Sequence, residues 1–264
     1  MQGEMAIRLG FFFGIFAVMA VLETKAPRRK LQTGKTVRWV NNVSVIFLGS
    51  FLVRLIAPAG ATGAAAWASA KGWGILNWTA FPGFLEGLAV IVLLDMLIYW
   101  QHVAFHLMPH FWKLHMMHHA DMDIDVTTGA RFHPVEIILS MLIKIVVVVL
   151  VGAPAWSVLA FEVLLNGTAM FNHSNYALPL GIDRMLRLLV VTPDMHRVHH
   201  SVIIREMNSN YGFNLSIWDR LFRSYREQPV RGHTDMTIGL ANFRDPGKLW
   251  LPQMLLMPLG ERTR

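Results

Sequence analysis

Eight histidines fall in three tight groups. His102 and His106 form His-x-x-x-His, His115, His118 and His119 form His-x-x-His-His, and His196, His199 and His200 repeat that second pattern. Imidazole is the commonest side-chain ligand for transition metals. Helical residues at i, i+3 and i+4 share a face, so each group would stack its rings on one side of a helix. With 12 histidines in 264 residues, roughly 0.02 copies of His-x-x-His-His are expected by chance; the chain has two. Three such faces turned toward one another make a nitrogen-rich cage with room for more than one ion. There is no cysteine, which excludes thiolate ligands and disulfides. Spacing alone does not choose among iron, zinc and copper.

The elements that must position these rings are membrane helices. Hydrophobic residues make up 54% of the chain and charged residues 16%, with a mean hydropathy of +0.41. The excess is concentrated in apolar runs at residues 6–22, 43–59, 84–100, 135–151 and 156–171. A bilayer-spanning helix needs about 20 mostly apolar residues, so the first, third and fourth qualify with their flanks. The second carries Arg54 and ends at Pro58, and the fifth is short and holds Glu162. These features predict an all-α integral membrane protein with four to five membrane helices and a cytoplasmic histidine-rich helical cap. The expected divisions are residues 1–83 for N-terminal membrane helices and an external loop, 84–225 for the catalytic region, and 226–264 for a tail. Within the tail, residues 250–258 read either as an interfacial helix or as a loosely packed segment.

Charge sets the expected orientation. The net charge is +7, and Lys25, Arg28, Arg29, Lys30, Lys35 and Arg38 crowd the connection between the first two runs. Basic residues beside membrane spans mark the cytoplasmic side, so this connection is read as a cytoplasmic loop and nucleic acid is excluded as a partner. Most of the positive charge follows the first run instead of preceding it, which fits an anchor and not a secretory signal. Residues 60–82 then lie outside, and the third helix delivers His102 and His106 to the inner face. The hairpin of runs four and five returns the chain to that same side, so all three groups converge there.

Other polar residues are placed by the same helices. Asp95, Tyr99, His102 and His106 form one stripe; Asp95 and Tyr99 are read either as partners of the metal-bound rings, since such rings donate their second N–H to a carboxylate or carbonyl, or as helix-packing hydrogen bonds. Asn172 and His173 arrive at the inner end of the fifth run, His173 as a ninth ligand or a hydrogen-bond donor beside the ligands. His133 precedes the fourth run on the same side and is read, with Asn172, as a hydrogen-bonding neighbour of the ligands, contact with metal being the alternative for His133, while His110 and His233 are isolated and read as solvent-facing or structural.

The series of histidine motifs among membrane hairpins resembles the fatty acid hydroxylase/sterol desaturase superfamily. The likeness extends to Trp112-x-x-His115, Arg131-x-His133-Pro134-x-Glu136, Asn172-His173-Ser174-Asn175 and Asn210-Tyr211-Gly212…Trp218-Asp219-Arg220-Leu221-Phe222, covering roughly residues 88–225. Many members carry Arg after the first histidine, where this chain has Val103. The resemblance implies two iron ions held by His102, His106, His115, His118, His119, His196, His199 and His200, with His173 matching an additional histidine. It further implies O2 as co-substrate, hydroxylation or desaturation of a lipid C–H bond, and electrons from a separate cytochrome- or ferredoxin-type partner. The competing reading is a histidine-rich metal transporter or sensor. A transporter places its ligands near the bilayer midplane, whereas these groups lie at or beyond helix ends.

Overall fold

A computed structural model describes residues 2–78 and 83–260. In chain order its helices are α1 (Gln2–Lys25), α2 (Lys35–Ile56), α3 (Gly60–Ala70), α4 (Gly83–Leu107), α5 (Pro109–His119), α6 (Pro134–Val151), α7 (Ala155–Asn172), α8 (Leu180–Leu186), α9 (Pro193–His199), α10 (Ile204–Met207), α11 (Ile217–Leu221), α12 (Gly232–Asp235) and α13 (Leu251–Leu256). No strand occurs among the described residues. Among the described residues, four stretches are long and apolar enough to cross a membrane: Gly3–Lys25, Lys35–Trp78, Gly83–Leu107 and Pro134–Val151.

Helix α6 shows why the environment decides these elements. It contains Ile145 followed by four consecutive valines, a run that favours strands in water. In hydrocarbon every backbone group must bond within its own segment, and the helix wins. Pro134 starts α6, the His133 side chain accepts the Val135 N–H at 3.2 Å, and Gly152 ends it at φ 77°, a left-handed position that glycine fills without strain. Helix α3 sets the buried methyl groups of Ala61, Ala65 and Ala68 against the hairpin, packing on both α6 and α7. Small side chains allow that close approach. Residues 60–70, expected in an external loop, are therefore a packed helix; residues 79–82 of the same expected loop lie outside the described residues. Gly87 on α4 is required by contact, since a Cβ there would sit 1.9 Å from the Trp156 ring.

Helix α1 packs on α7 and α2 on α6. The two meet at the end nearest the histidines, where Phe16 stands edge-on to Trp39 at 5.3 Å. Elsewhere they leave a side cleft of about 540 Å³ lined by residues such as Phe12, Phe47 and Ile46. The tail is not loosely packed: Met254 and Met257 sit beneath Trp112, Met116 and Met117, and the Leu251 N–H donates to Asn41 Oδ1 at 2.8 Å.

One expectation is corrected. Arg38 is not a loop charge facing the cytoplasm; it lies in the first turn of α2 and is fully buried. Its Nε and Nη2 donate to the two carboxylate oxygens of Asp121 at 2.8 Å each, and Nη2 also reaches Thr128 Oγ1 at 3.1 Å. Asp125 is a second ionic partner. Burial alone would raise the Asp121 carboxyl, but the adjoining Arg38 guanidinium holds it down at about 2. Asp123 accepts from the Gln32 and Thr33 N–H groups at 2.8 Å. The three alternating aspartates thus tie the end of α5 to the start of α2. Arg38→Met strands two buried carboxylates, and the expected loss is about 3–5 kcal/mol, read as thermal unfolding in detergent. Lys30→Met, at an exposed position on the same connection, is expected to stay within about 0.5 kcal/mol of the parent.

Candidate metal centre

Four helix ends bring the rings together. His102 and His106 occupy the last turns of α4, and α5 restarts at once with Pro109 in its first turn. His173 caps α7. Helix α9 opens on Thr192, whose hydroxyl accepts the Met195 N–H at 3.4 Å, and His200 closes it. All nine histidines are buried.

The nine separate into two groups, within each of which the ligand-capable atoms all lie within 4.8 Å of one another. One comprises His102, His106, His115, His119 and His199; the other comprises His118, His173, His196 and His200. All three motifs contribute to the cage, and each His-x-x-His-His contributes to both groups. Within each His-x-x-His-His the first and last histidines are companions and the middle one is not: α5 gives His115 and His119 to one group and His118 to the other, while α9 gives His199 to the first and His196 and His200 to the second. Nitrogens meet at close range, with His102 Nε2 3.1 Å from the Nε2 atoms of both His115 and His199, and His173 Nε2 3.1 Å from His118 and 3.0 Å from His196.

The outward nitrogens explain this convergence. His102 Nδ1–H donates to the Tyr211 carbonyl at 2.8 Å, His199 to Ser209 at 2.8 Å, His118 to Arg131 at 3.2 Å and His173 to Ala169 at 2.7 Å. His115 donates to Glu136 Oε1 at 2.7 Å, and His106 to Asn208 Oδ1 at 3.4 Å. The backbone carbonyl and Asn208 amide oxygens only accept, and an ionised Glu136 does the same, so the proton is placed on Nδ1 and the Nε2 lone pair is turned inward, the arrangement that supports a metal-bound imidazole. Burial pushes the His115 and His173 rings down to about 3, and His118, His119, His196, His199 and His200 well below their ordinary value, with neighbouring rings adding to the effect in the latter five. The rings outside the spans are therefore neutral at physiological pH. Both nitrogens of His119 and of His200 are buried without a hydrogen-bond partner, and a bound cation would satisfy the lone-pair nitrogen of each ring, worth about 1–3 kcal/mol per group. The donor set fits a metal.

The polar residues around the rings act at different distances. Asp95 accepts from the Asn214 and Leu215 N–H groups at 3.3 and 3.1 Å and from Trp218 Nε1 at 2.8 Å, rather than from a ring nitrogen. Tyr99 shares a hydrogen bond with Ser224 at 2.8 Å, and Asn172 donates to the Phe213 carbonyl at 3.0 Å. All three hold the 211–224 segment that presents the Tyr211 carbonyl to His102, so they touch the cage at one remove. Asp219 completes that anchor by accepting the Tyr211 and Gly212 N–H groups at 2.7 and 2.8 Å. His133 points away, with Nε2 3.3 Å from the Leu255 carbonyl. Glu136 stands in the sequence only as part of a motif, yet its Oε1 is bonded to a cage ring. His110 is exposed, while His233 is buried beside Asp194.

A cavity of about 380 Å³ opens onto the five-histidine group through His102 and His115, with Phe132, Phe213, Ile98 and Met141 among its walls. No histidine of the four-member group lines it. Phe132 stacks on His118 with ring centroids 4.4 Å apart and forms part of the partition. Glu136→Ala is expected to weaken metal binding about 10–100-fold, measured by competition with a chelator. Glu136→Gln, which keeps an acceptor for His115 Nδ1–H, should retain most of the affinity.

The family model described as fatty acid hydroxylase matches residues 87–224, a stretch that contains all nine histidines. Ornithine lipid hydroxylase OlsE of Rhizobium tropici is 30% identical over 148 residues, covering 56% of this chain and 44% of that protein. Alkylglycerol monooxygenase of Danio rerio is 27% identical over 193 residues, covering 73% of this chain and 38% of its own length. The human alkylglycerol monooxygenase is 27% identical over 152 residues, 57% of this chain and 31% of that protein. The chain thus spans less than half the length of these relatives. No solved structure matches it significantly. Since the family match takes in more than half of the sequence, the chain belongs to the fatty acid hydroxylase family.

Proposed function

We propose that this protein is a membrane-bound oxidoreductase that hydroxylates a lipid at a centre of two iron ions, using O2 and electrons from a separate donor. The observation that carries the reading is the pair of histidine groups, their Nε2 atoms turned inward, at the head of an apolar cavity. The five imidazoles of one group would exceed the four ligands of a structural zinc site. When bound, the metal pair would activate O2 toward an unactivated C–H bond. The chain's own residues orient the rings through their Nδ1 acceptors, keep water out with Phe132 and Phe213, and admit a lipid from the side. The names of the relatives, a lipid hydroxylase and a monooxygenase, favour hydroxyl insertion over double-bond formation.

The basic residues at the α1–α2 connection support a cytoplasmic position for the histidine end, where a cytochrome- or ferredoxin-type donor would have access. Transport is disfavoured because the nitrogens gather at helix ends and not in the middle of the spans.

Protein purified without chelators is expected to carry two iron ions per chain, and cells containing it should accumulate a lipid heavier by one oxygen. His118→Ala and His199→Ala, one from each histidine group, should each abolish that product; persistence of the oxidised lipid in either variant would remove the proposed centre. Because the chain lacks cysteine, Lys30→Cys offers a unique thiol. It should be shielded from an impermeant maleimide in intact cells and react after lysis, and labelling of intact cells would reverse the orientation.

A further inference from the structure

The far end of the cavity is charged. Besides His102, His115 and Glu136, its lining includes Glu4, Arg8, Arg54, Lys144 and Glu162. Glu162 is shared between two cations, with Oε2 accepting from Arg8 Nη2 at 2.7 Å and Oε1 from Lys144 Nζ at 2.7 Å. Arg8 also reaches Glu4 Oε1 from Nε and Nη2 at 3.1 and 2.9 Å, and Thr62 at 2.8 Å. All of these bonds leave Arg8 Nη1 unused. Arg54 is exposed and makes no ion pair among the described residues. The cavity lining thus holds three cations, Arg8, Arg54 and Lys144, and three carboxylates, Glu4, Glu136 and Glu162, with Glu136 at the histidine end and the other two beside Arg8 and Lys144.

Ionisable groups within membrane helices are expensive, and they mark a functional site by default. The bonded set of Arg8, Lys144, Glu4 and Glu162 balances its charges, and the cation outside it is Arg54, which lines the same cavity without an ion pair among the described residues. The cavity and the side cleft between α1 and α2 share Arg8, Phe12, Ile46, Ser50 and Glu162 as lining, so a lipid sliding in from the bilayer passes this cluster. Glu136, bonded to His115, and Lys144, bonded to Glu162, lie eight residues apart on α6, which is about 12 Å along the helix.

Building on the hydroxylase reading above, we propose that the charged end recognises an anionic head group, a carboxylate or phosphate, and that the protein measures the oxidised carbon from this head. The lipid would lie with its head at Arg8, Arg54 and Lys144, so that about 12 Å of chain separates the head from the histidine end.

The test is equilibrium binding to the protein as purified in maltoside detergent, using palmitate, methyl palmitate and a palmitoyl lysophosphatidate. Palmitate or lysophosphatidate should bind at least about tenfold more tightly than the ester, a factor worth about 1.4 kcal/mol; whichever does identifies the head group as carboxylate or phosphate. Arg54→Gln, at an exposed position, should reduce that preference about tenfold. Equal binding of all three lipids, or an unchanged preference in the variant, would overturn the proposal. In turnover of a series of chain lengths, oxygen should remain a fixed number of carbons from the head, and a position fixed from the methyl end would also overturn it. Retained binding preference without oxidation of any lipid would instead count against the hydroxylase reading.

Discussion

A buried imidazole that presents one nitrogen to a metal must dispose of the proton on the other. That constraint governs the histidine end of this fold. Nine buried rings crowd together, and six of them, His102, His106, His115, His118, His173 and His199, have an oxygen that takes up Nδ1–H. The acceptors come from separate parts of the chain: carbonyls at the end of α7, before α6 and in the 209–211 segment, the Glu136 carboxylate at the start of α6, and the Asn208 amide. Loops that look irregular are therefore shaped to place oxygen atoms, and the acids behind them, Asp95 and Asp219, hold those loops by their backbone N–H groups.

A second layer of restraint comes from Arg38 and the aspartates that follow α5. Such a buried ion network is costly to assemble, since desolvation offsets much of the attraction. Its value here is positional. Asp121 lies two residues beyond His119, so the bidentate contact with Arg38 fixes where α5 ends and hence where His118 and His119 sit. The same residues tie α5 to α2, coupling the membrane helices to the cap.

The sequence made the histidines, their helices and the family resemblance legible because these rest on local periodicity. Spacing on a helix shows which residues share a face, and hydropathy shows which segments need lipid. It does not show how one face is divided between two groups, because the division depends on the crossing of four helix ends. Arg38 was misread for a related reason: a cation beside a membrane run looks solvated until its carboxylates, about 80 residues away, are brought to it. Asp95 lay on the same stripe as His102, but its partners belong to the distant 214–218 segment. Glu136 stood in plain view within a motif, yet only the fold reveals that it faces His115. The alanine-rich α3 lacked a polar face to mark it as packed, and its contacts with α6 and α7 replace the loop expected there.

The division of each His-x-x-His-His between two groups has a mechanical consequence. Helices α5 and α9 act as yokes: a small rotation or slide of either one displaces nitrogens around both prospective ions together. Neither coordination sphere can be loosened, widened or re-shaped by moving a helix without altering its neighbour. Independent adjustment is left to the contributors belonging to one side alone, His102 and His106 from α4 and His173 from α7.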